Sequence, residues 1–425
     1  MPWLFGPVQD QALLLENARI VDPASQSVQS GHLLIQDGRI EAILESAPLD
    51  FGGQRIDIQG KWVIPGLADM HTHSFGNASP AASGGVQYLG TPGTAKMMLY
   101  TGVTAFLDLF SVEDAILRLR QQQRDGKLPG ADIFCAGPCI TANKGHCTEY
   151  GVPTRTINNP QEARQQIAQL AAKSPDVVKL IYDHAAGRMP SIDRPTLEAA
   201  IQEAQSNGLK TVIHVGTWQD VQDAAQAGAS AVTHVPRGEI PAGLIELLRQ
   251  RGVASIPTLA VHCDLANFAE SPQLLQSRLL RSVTTEQLLG AYRDSSSFAD
   301  RAKRWAESQK KTRQGVLKAT GQLAQGGVRI LTGTDAGNLG VFQGYSVHRE
   351  MLLLVEAGLS PWQALAAATS NASDFLERPW GVRPGDQANL VILSASPIED
   401  IANTQKIEHV IQRGQLVDRE ALLGR

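Results

Sequence analysis

From about residue 10 to residue 60, apolar positions come in short runs separated by turn signals. The stretches "ALLLENARIVD", "GHLLIQDGRIEAIL" and "QRIDIQGKWV" alternate or run apolar, and "DPAS", "QDGR" and "FGG" interrupt them, which predicts short strands and tight turns. Near the other end, "GDQANLVIL" and "IEHVIQRGQLVD" have the same texture. Two all-β ends around a different middle predict one small β-sandwich domain made of residues 1–61 and 379–425, because chain termini tend to lie close together.

The middle, residues 62–378, alternates apolar strands with helical stretches. Strand candidates are "WVIPGLADMH", "VTAFLDLF", "DIFCAGPCI", "DVVKLIYD", "LKTVIHVG", "SAVTHV", "VASIPTLAV" and "VRILTGTDA". Between them lie stretches such as "NPQEARQQIAQLAAK" and "DRPTLEAAIQEAQSNG", charged on one face and bounded by Gly or Pro. Near-continuous apolar runs suit parallel strands covered on both faces. Eight strands, each followed by helix, predict an α/β fold of (β/α)8 TIM-barrel type. The seventh strand is followed by a charged helical excursion, residues 262–328, read as peripheral helices that also cap the mouth.

Charge removes several classes of function. The net charge is −4 with both signs interspersed, and no basic tract marks a nucleic-acid or membrane-surface partner. The N-terminus "MPWLFGPVQDQALLLENARIVD" lacks a charged leading region, and no 18-residue apolar span occurs. Cys135, Cys139, Cys147 and Cys263 are too few for a disulfide framework and read as buried or loop thiols in a reduced, cytoplasmic enzyme. A small-molecule substrate is the expected partner, with self-association of the chain a further expectation.

In such a barrel, chemistry sits at the C-terminal ends of the strands. The first strand ends in His71 and His73, whose alternate spacing turns both rings to one side of a strand. Lys179 is embedded in the fourth, His214 and His234 end the fifth and sixth, and Asp335 ends the eighth. Each alone is an ordinary structural residue, but all six falling in strand order points to a metal site. Lys179 narrows its type. A protonated ammonium has no lone pair and repels a dication, whereas a buried free amine can add CO2 to give a carbamate able to bridge two metals. Four imidazoles and two anions suit two divalent ions, with Zn2+ the default. Such a pair can hold a bridging hydroxide and polarise a carbonyl.

This pattern, between β segments from both termini, resembles the metal-dependent amidohydrolase superfamily. "GKWVIPGLADMHTH" is similar to its entry into the first strand, and "GVRPGDQANLVIL" to its return into the β-sandwich. The stretch "GYSVHREMLLLVEAGLSPWQALAAATSNASDFL" resembles the imidazolonepropionase-related and prolidase-like branch. The resemblance implies that His71, His73 and Asp335 hold the more buried metal and His214 and His234 the more exposed one, with carbamylated Lys179 bridging them. It also implies that Asp335 shuttles the proton from the attacking hydroxide to the leaving amine. Deaminases of the superfamily resemble an H-x-x-E pattern on the fifth strand, but Thr217 stands here in place of the acid. Hydrolysis of an acyl bond is therefore expected over deamination.

His146, in "TANKGHCTEYG" after the third strand, matches in position a substrate-reaching histidine of the prolidase-like branch. Tyr150 shares its loop, and Arg237 follows His234 at the mouth, where a guanidinium can pair with a carboxylate. These residues predict a dipeptide or an N-acyl amino acid with a free carboxylate, cleaved at a C–N acyl bond. A cyclic-amide or lactone hydrolase on the same site, and a one-metal deaminase or imidazolonepropionase-type enzyme, are the alternatives.

Overall fold

The computed structural model describes residues 12–82, 84–185, 187 and 189–424. The first eleven residues, on which the reading of the N-terminus in part rests, lie outside them. Strands from both ends of the chain share one eight-stranded sheet. Leu13–Asp22, Ser27–Gln36 and Arg39–Leu44 pair antiparallel in sequence order. Trp62–Pro65 lies parallel to Leu13–Asp22 on one side and takes Leu390–Leu393 antiparallel on the other. Ile407–Gln412 and Gln415–Leu416 complete that edge. Side chains at alternate positions, such as Leu13, Leu15, Leu33, Ile35, Leu390 and Ile392, form one buried cluster, as a period of two requires.

The central region is built from parallel strands alternating with helices. Strands β1 (Leu67–Thr72), β2 (Val103–Asp108) and β3 (Asp132–Cys135) form one sheet. Strands β4 (Val177–Tyr182), β5 (Lys210–Val215), β6 (Ala231–Thr233) and β7 (Ala254–Ile256) form another, extended at its β4 edge by Cys139–Thr141 and Arg155–Thr156. A hydrogen bond from Asp176 N to Cys135 O (2.9 Å) links the end of β3 to the start of β4. On the opposite side, residues 329–332 lie between β7 and β1, with Leu331 N bonded to Ser255 O (2.9 Å) and Met70 N to Thr332 O (2.8 Å). All six residues of β1, β2 and β4 are buried. Alternate residues serve different layers: Val178, Leu180 and Ile213 join the large cluster that includes the helices, while Val177 and Val212 join a second cluster with Met70, Leu107 and Leu331. Lys179 and His214 share the parity of Val177 and Val212 and so turn to the same side.

Two strand expectations are shortened. "VASIPTLAV" is not one strand, because β7 stops at Ile256 and, after helices α1 (Gly90–Tyr100), α2 (Glu113–Arg124), α3 (Pro160–Ala171), α4 (Arg194–Ser206), α5 (Trp218–Ala227) and α6 (Leu244–Arg251), helix α7 (Leu259–Glu270) starts three residues later. Thr258 turns the chain at φ 51°, and the Glu350 carboxylate accepts the Leu259 and Ala260 amides at 2.8 and 2.6 Å, satisfying donors that a helix start leaves open. "VRILTGTDA" makes only isolated bridges. Beyond α7, helices α8 (Arg278–Val283), α9 (Glu286–Arg293) and α10 (Asp300–Gln325) enclose a separate core around Phe268, Leu280, Tyr292, Phe298 and Phe342.

The cysteine expectation needs correction. Cys139 and Cys147 form a disulfide; only Cys135 and Cys263 are free, both buried. The chain from Cys139 leaves its strand, turns through Gly145, whose amide bonds Ala142 O (2.8 Å), and brings Cys147 back at φ 84°. Spacing in sequence gives no hint of this return.

Candidate metal centre

His71 is the next-to-last residue of β1 and His73 lies one residue beyond the strand. Their Nε2 atoms approach a single oxygen, Asp335 Oδ1, at 3.4 and 2.9 Å. Each of the three side chains offers a ligand atom within 4.8 Å of the others. His234, just past β6, has its ring 5.2 Å from that of His71 and 4.5 Å from that of His214 on β5. The His214 ring is in turn 4.9 Å from His146. A continuous run of imidazoles thus crosses the C-terminal ends of the strands.

Burial sets the charge state of this run. It presses His71 and His234 well below the ordinary imidazole value and His214 down to about 4, so these rings are neutral lone-pair donors at pH 7. Burial alone would raise Asp335, but His73, whose Nε2 lies 2.9 Å from Oδ1, and the amine of Lys179 hold its carboxyl below the usual range. Lys179, on β4, is 2% exposed, and its Nζ has no hydrogen-bond partner among the described residues. Burial lowers its pKa to about 7 against the opposing pull of Asp335. Neutral imidazoles, an ionised carboxylate and an orphaned buried amine make a donor set that fits divalent cations.

A layer of hydrogen bonds orients these groups. Thr258 gives its hydroxyl hydrogen to Pro257 O (2.8 Å), so the 2.8 Å contact between Thr258 Oγ1 and His234 Nδ1 is made by the ring N–H, and Nε2 keeps the lone pair. His71 Nδ1 meets Thr233 Oγ1 at 2.6 Å. His214 Nε2 lies 3.4 Å from Asp183 Oδ2, which leaves Nδ1 as its second donor atom. Gly216 is required for this approach, since a Cβ there would overlap Asp183 Oδ1. Asp69 accepts the His71 and Thr334 amides at 3.1 and 3.0 Å and the Thr334 hydroxyl at 2.6 Å, tying β1 to the turn that carries Asp335. Asp335 and His234 both hold left-handed backbone, φ 62° and 74°, a cost that such bonding must offset.

The residues expected to meet substrate separate into two places. His146, Tyr150 and Asp183 line a cleft of about 220 Å³, together with Glu149, Met189 and Arg301. Glu149 Oε1 holds His146 Nδ1 at 2.7 Å, and the His146–Tyr150 ring separation is 5.7 Å. The Cys139–Cys147 bond anchors this loop to the strand residue that pairs with Lys179. Arg237 is exposed and donates to Ser308 Oγ on α10 at 2.8 Å; it is not among the residues lining that cleft. Thr217 caps helix Trp218–Ala227, accepting the Asp220 amide. Sequence reading missed Asp69, Glu149, Asp183, Thr258 and Arg301. Only Asp69, a charge inside the apolar run before His71, carried a visible signal.

Comparison with known proteins matches this chain to a family. An imidazolonepropionase from Chromobacterium violaceum is 42% identical over 85 residues, 18% of this chain, and the match spans only 21% of that enzyme's length. Among solved structures, a Xaa-Pro dipeptidase with methionine bound in its active site superposes with a TM-score of 0.79 at 21% identity, covering 96% of this chain and 99% of the other. A proposed prolidase from Bifidobacterium longum gives 0.75 at 26% identity, with 98% of each chain covered. The model of the Amidohydrolase family matches residues 62–417, and the chain belongs to that family as a hydrolase acting on carbon–nitrogen bonds.

Proposed function

We propose that this protein is a two-metal amidohydrolase that cleaves the C–N acyl bond of a dipeptide or an N-acyl amino acid with a free carboxylate. The observation that carries the reading is Lys179: a buried amine without a hydrogen-bond partner among the described residues, on a strand among four histidines and Asp335. In this proposal residues 62–378 close as a (β/α)8 barrel, and residues 1–61 and 379–425 make a β-sandwich. His71, His73 and Asp335 would hold one ion and His214 and His234 the other, with Lys179, as its CO2 adduct, shared between them. Zn2+ is the proposed metal. Divalent ions held there supply an activated water and a Lewis acid for the scissile carbonyl.

The chain's own groups do the rest. The Asp335 carboxylate takes a proton from the attacking water and returns it to the leaving nitrogen. His146 gives its Nδ1–H to Glu149 and keeps Nε2 for the substrate, while Tyr150 and Arg237 contact it from the loop and the rim. The position three residues after His214, where a deaminase of this superfamily has its acid, is Thr217, whose side chain caps a helix. The Cys139–Cys147 bond argues against the reduced, cytoplasmic setting expected from the sequence, since such bonds are rare in a reducing compartment.

Metal analysis and a library of dipeptides and N-acyl amino acids, with cyclic amides and lactones in parallel, test the proposal. Two ions per chain and turnover of the open-chain acids are expected. One ion with ammonia release, or turnover of the cyclic compounds alone, would replace it.

A further inference from the structure

We propose that Arg301 is the specificity-determining residue that binds the substrate's carboxylate; the inference rests on the reaction proposed above and names the residue that selects its substrate. Arg301 is the second residue of α10 and lines the cleft shared by His146, Tyr150 and Asp183. The other charged groups of this cleft are already engaged. Glu149 holds His146, and Asp183 accepts the Ala185 amide at 2.9 Å besides facing His214. Among the described residues no hydrogen bond or ion pair occupies the Arg301 guanidinium, although two carboxylates line the same cleft.

A guanidinium presents five donors in a planar fork that matches a carboxylate in two parallel bonds. Arg237 is less suited, because Ser308 already occupies one of its nitrogens and it stands outside the cleft wall. The cleft also sets the size of the ligand. At about 220 Å³ it falls below the ~300–1,000 Å³ of drug-sized pockets and suits a single amino-acid unit. Ile181, Met189 and Pro190 give that unit an apolar wall. The ligand class is therefore an amino-acid carboxylate with an apolar side chain, seated so that its acylated nitrogen faces His146.

The test uses N-acetyl-L-leucine and its neutral carboxamide as probes of the metal-loaded full chain, by calorimetric binding and by turnover. Wild type should bind the acid more tightly than the amide. Arg301→Met should weaken the acid about 10- to 100-fold and so collapse the acid-to-amide ratio, and Arg301→Lys should restore part of it. Equal affinity of wild type for the two probes, binding of neither, an unchanged ratio in Arg301→Met, or collapse of the ratio in Arg237→Met instead, would each overturn the assignment. An acid-selective wild type that hydrolyses no acyl amino acid or dipeptide leaves Arg301 assigned and overturns the reaction.

Discussion

His234 donates its Nδ1–H to Thr258 across 2.8 Å, and Thr258 can accept because its own hydrogen is committed to Pro257 O. The chain of two bonds selects one tautomer of His234 and aims a lone pair from the other nitrogen. Replacing Thr258 with Val keeps the shape and removes the acceptor. Metal affinity should fall about 10- to 100-fold, measured by competition with a chelating dye. Unchanged affinity would show that the ring is oriented by packing alone.

Lys179→Ala removes the buried amine and the anion it is proposed to carry. Turnover should drop by orders of magnitude, with partial recovery on adding formate or propionate, which can occupy the vacated space as a carboxylate. In the metal-free protein the melting temperature should change little, because relief of the amine's desolvation, with no hydrogen bond lost among the described residues, offsets the cavity its methylenes leave. A large loss of stability without rescue would assign Lys179 a structural role.

The Cys139–Cys147 bond gives a direct count. Unfolded protein treated with a thiol reagent should titrate two thiols, Cys135 and Cys263, and four after reduction. Four thiols without reductant would refute the pairing. With the bond intact, the loop bearing His146 should resist proteolysis, and reduction should expose it.

His348 is fully enclosed in helix Tyr345–Glu356, with Nε2 donating to Thr101 O at 2.9 Å and Nδ1 3.0 Å from Thr404 Oγ1. Burial pushes its pKa down to about 4, from 6.5 when exposed. Between these values the unfolded chain binds more protons than the folded one, so stability present above pH 6.5 is lost as pH falls toward 4. The loss should reach about 2 kcal/mol at pH 5. His348→Gln, which can still donate to Thr101, should flatten that part of the pH–stability curve in urea unfolding; an unaltered slope would exclude His348 as its source.

Part of the site was legible because its polar residues break apolar runs. His71, His73 and Asp335 stand at the ends of such runs and meet at one carboxylate oxygen, and Lys179 interrupts "VVKLIYD". The orienting groups were not legible. Thr258 acts through a backbone turn that no periodicity encodes, and Glu149 and Arg301 reach one cleft from segments 152 positions apart (301 − 149). The seventh strand was drawn too long for a related reason: Glu350, distant in sequence, satisfies the amides that begin α7. Local pattern found the residues that carry charge into an apolar element. Partners supplied from elsewhere in the chain were beyond it.

Trp62–Pro65 is flanked on one side by a strand that ends at Asp22 and on the other by one that starts at Leu390. During synthesis, that side of Trp62–Pro65 stays open for more than 300 residues of translation, on the order of 15 to 60 s at ~5–20 residues per second. The nascent chain therefore carries an unpaired apolar strand edge until its last segment leaves the ribosome. Truncations near the C-terminus should consequently yield aggregates rather than a smaller working enzyme.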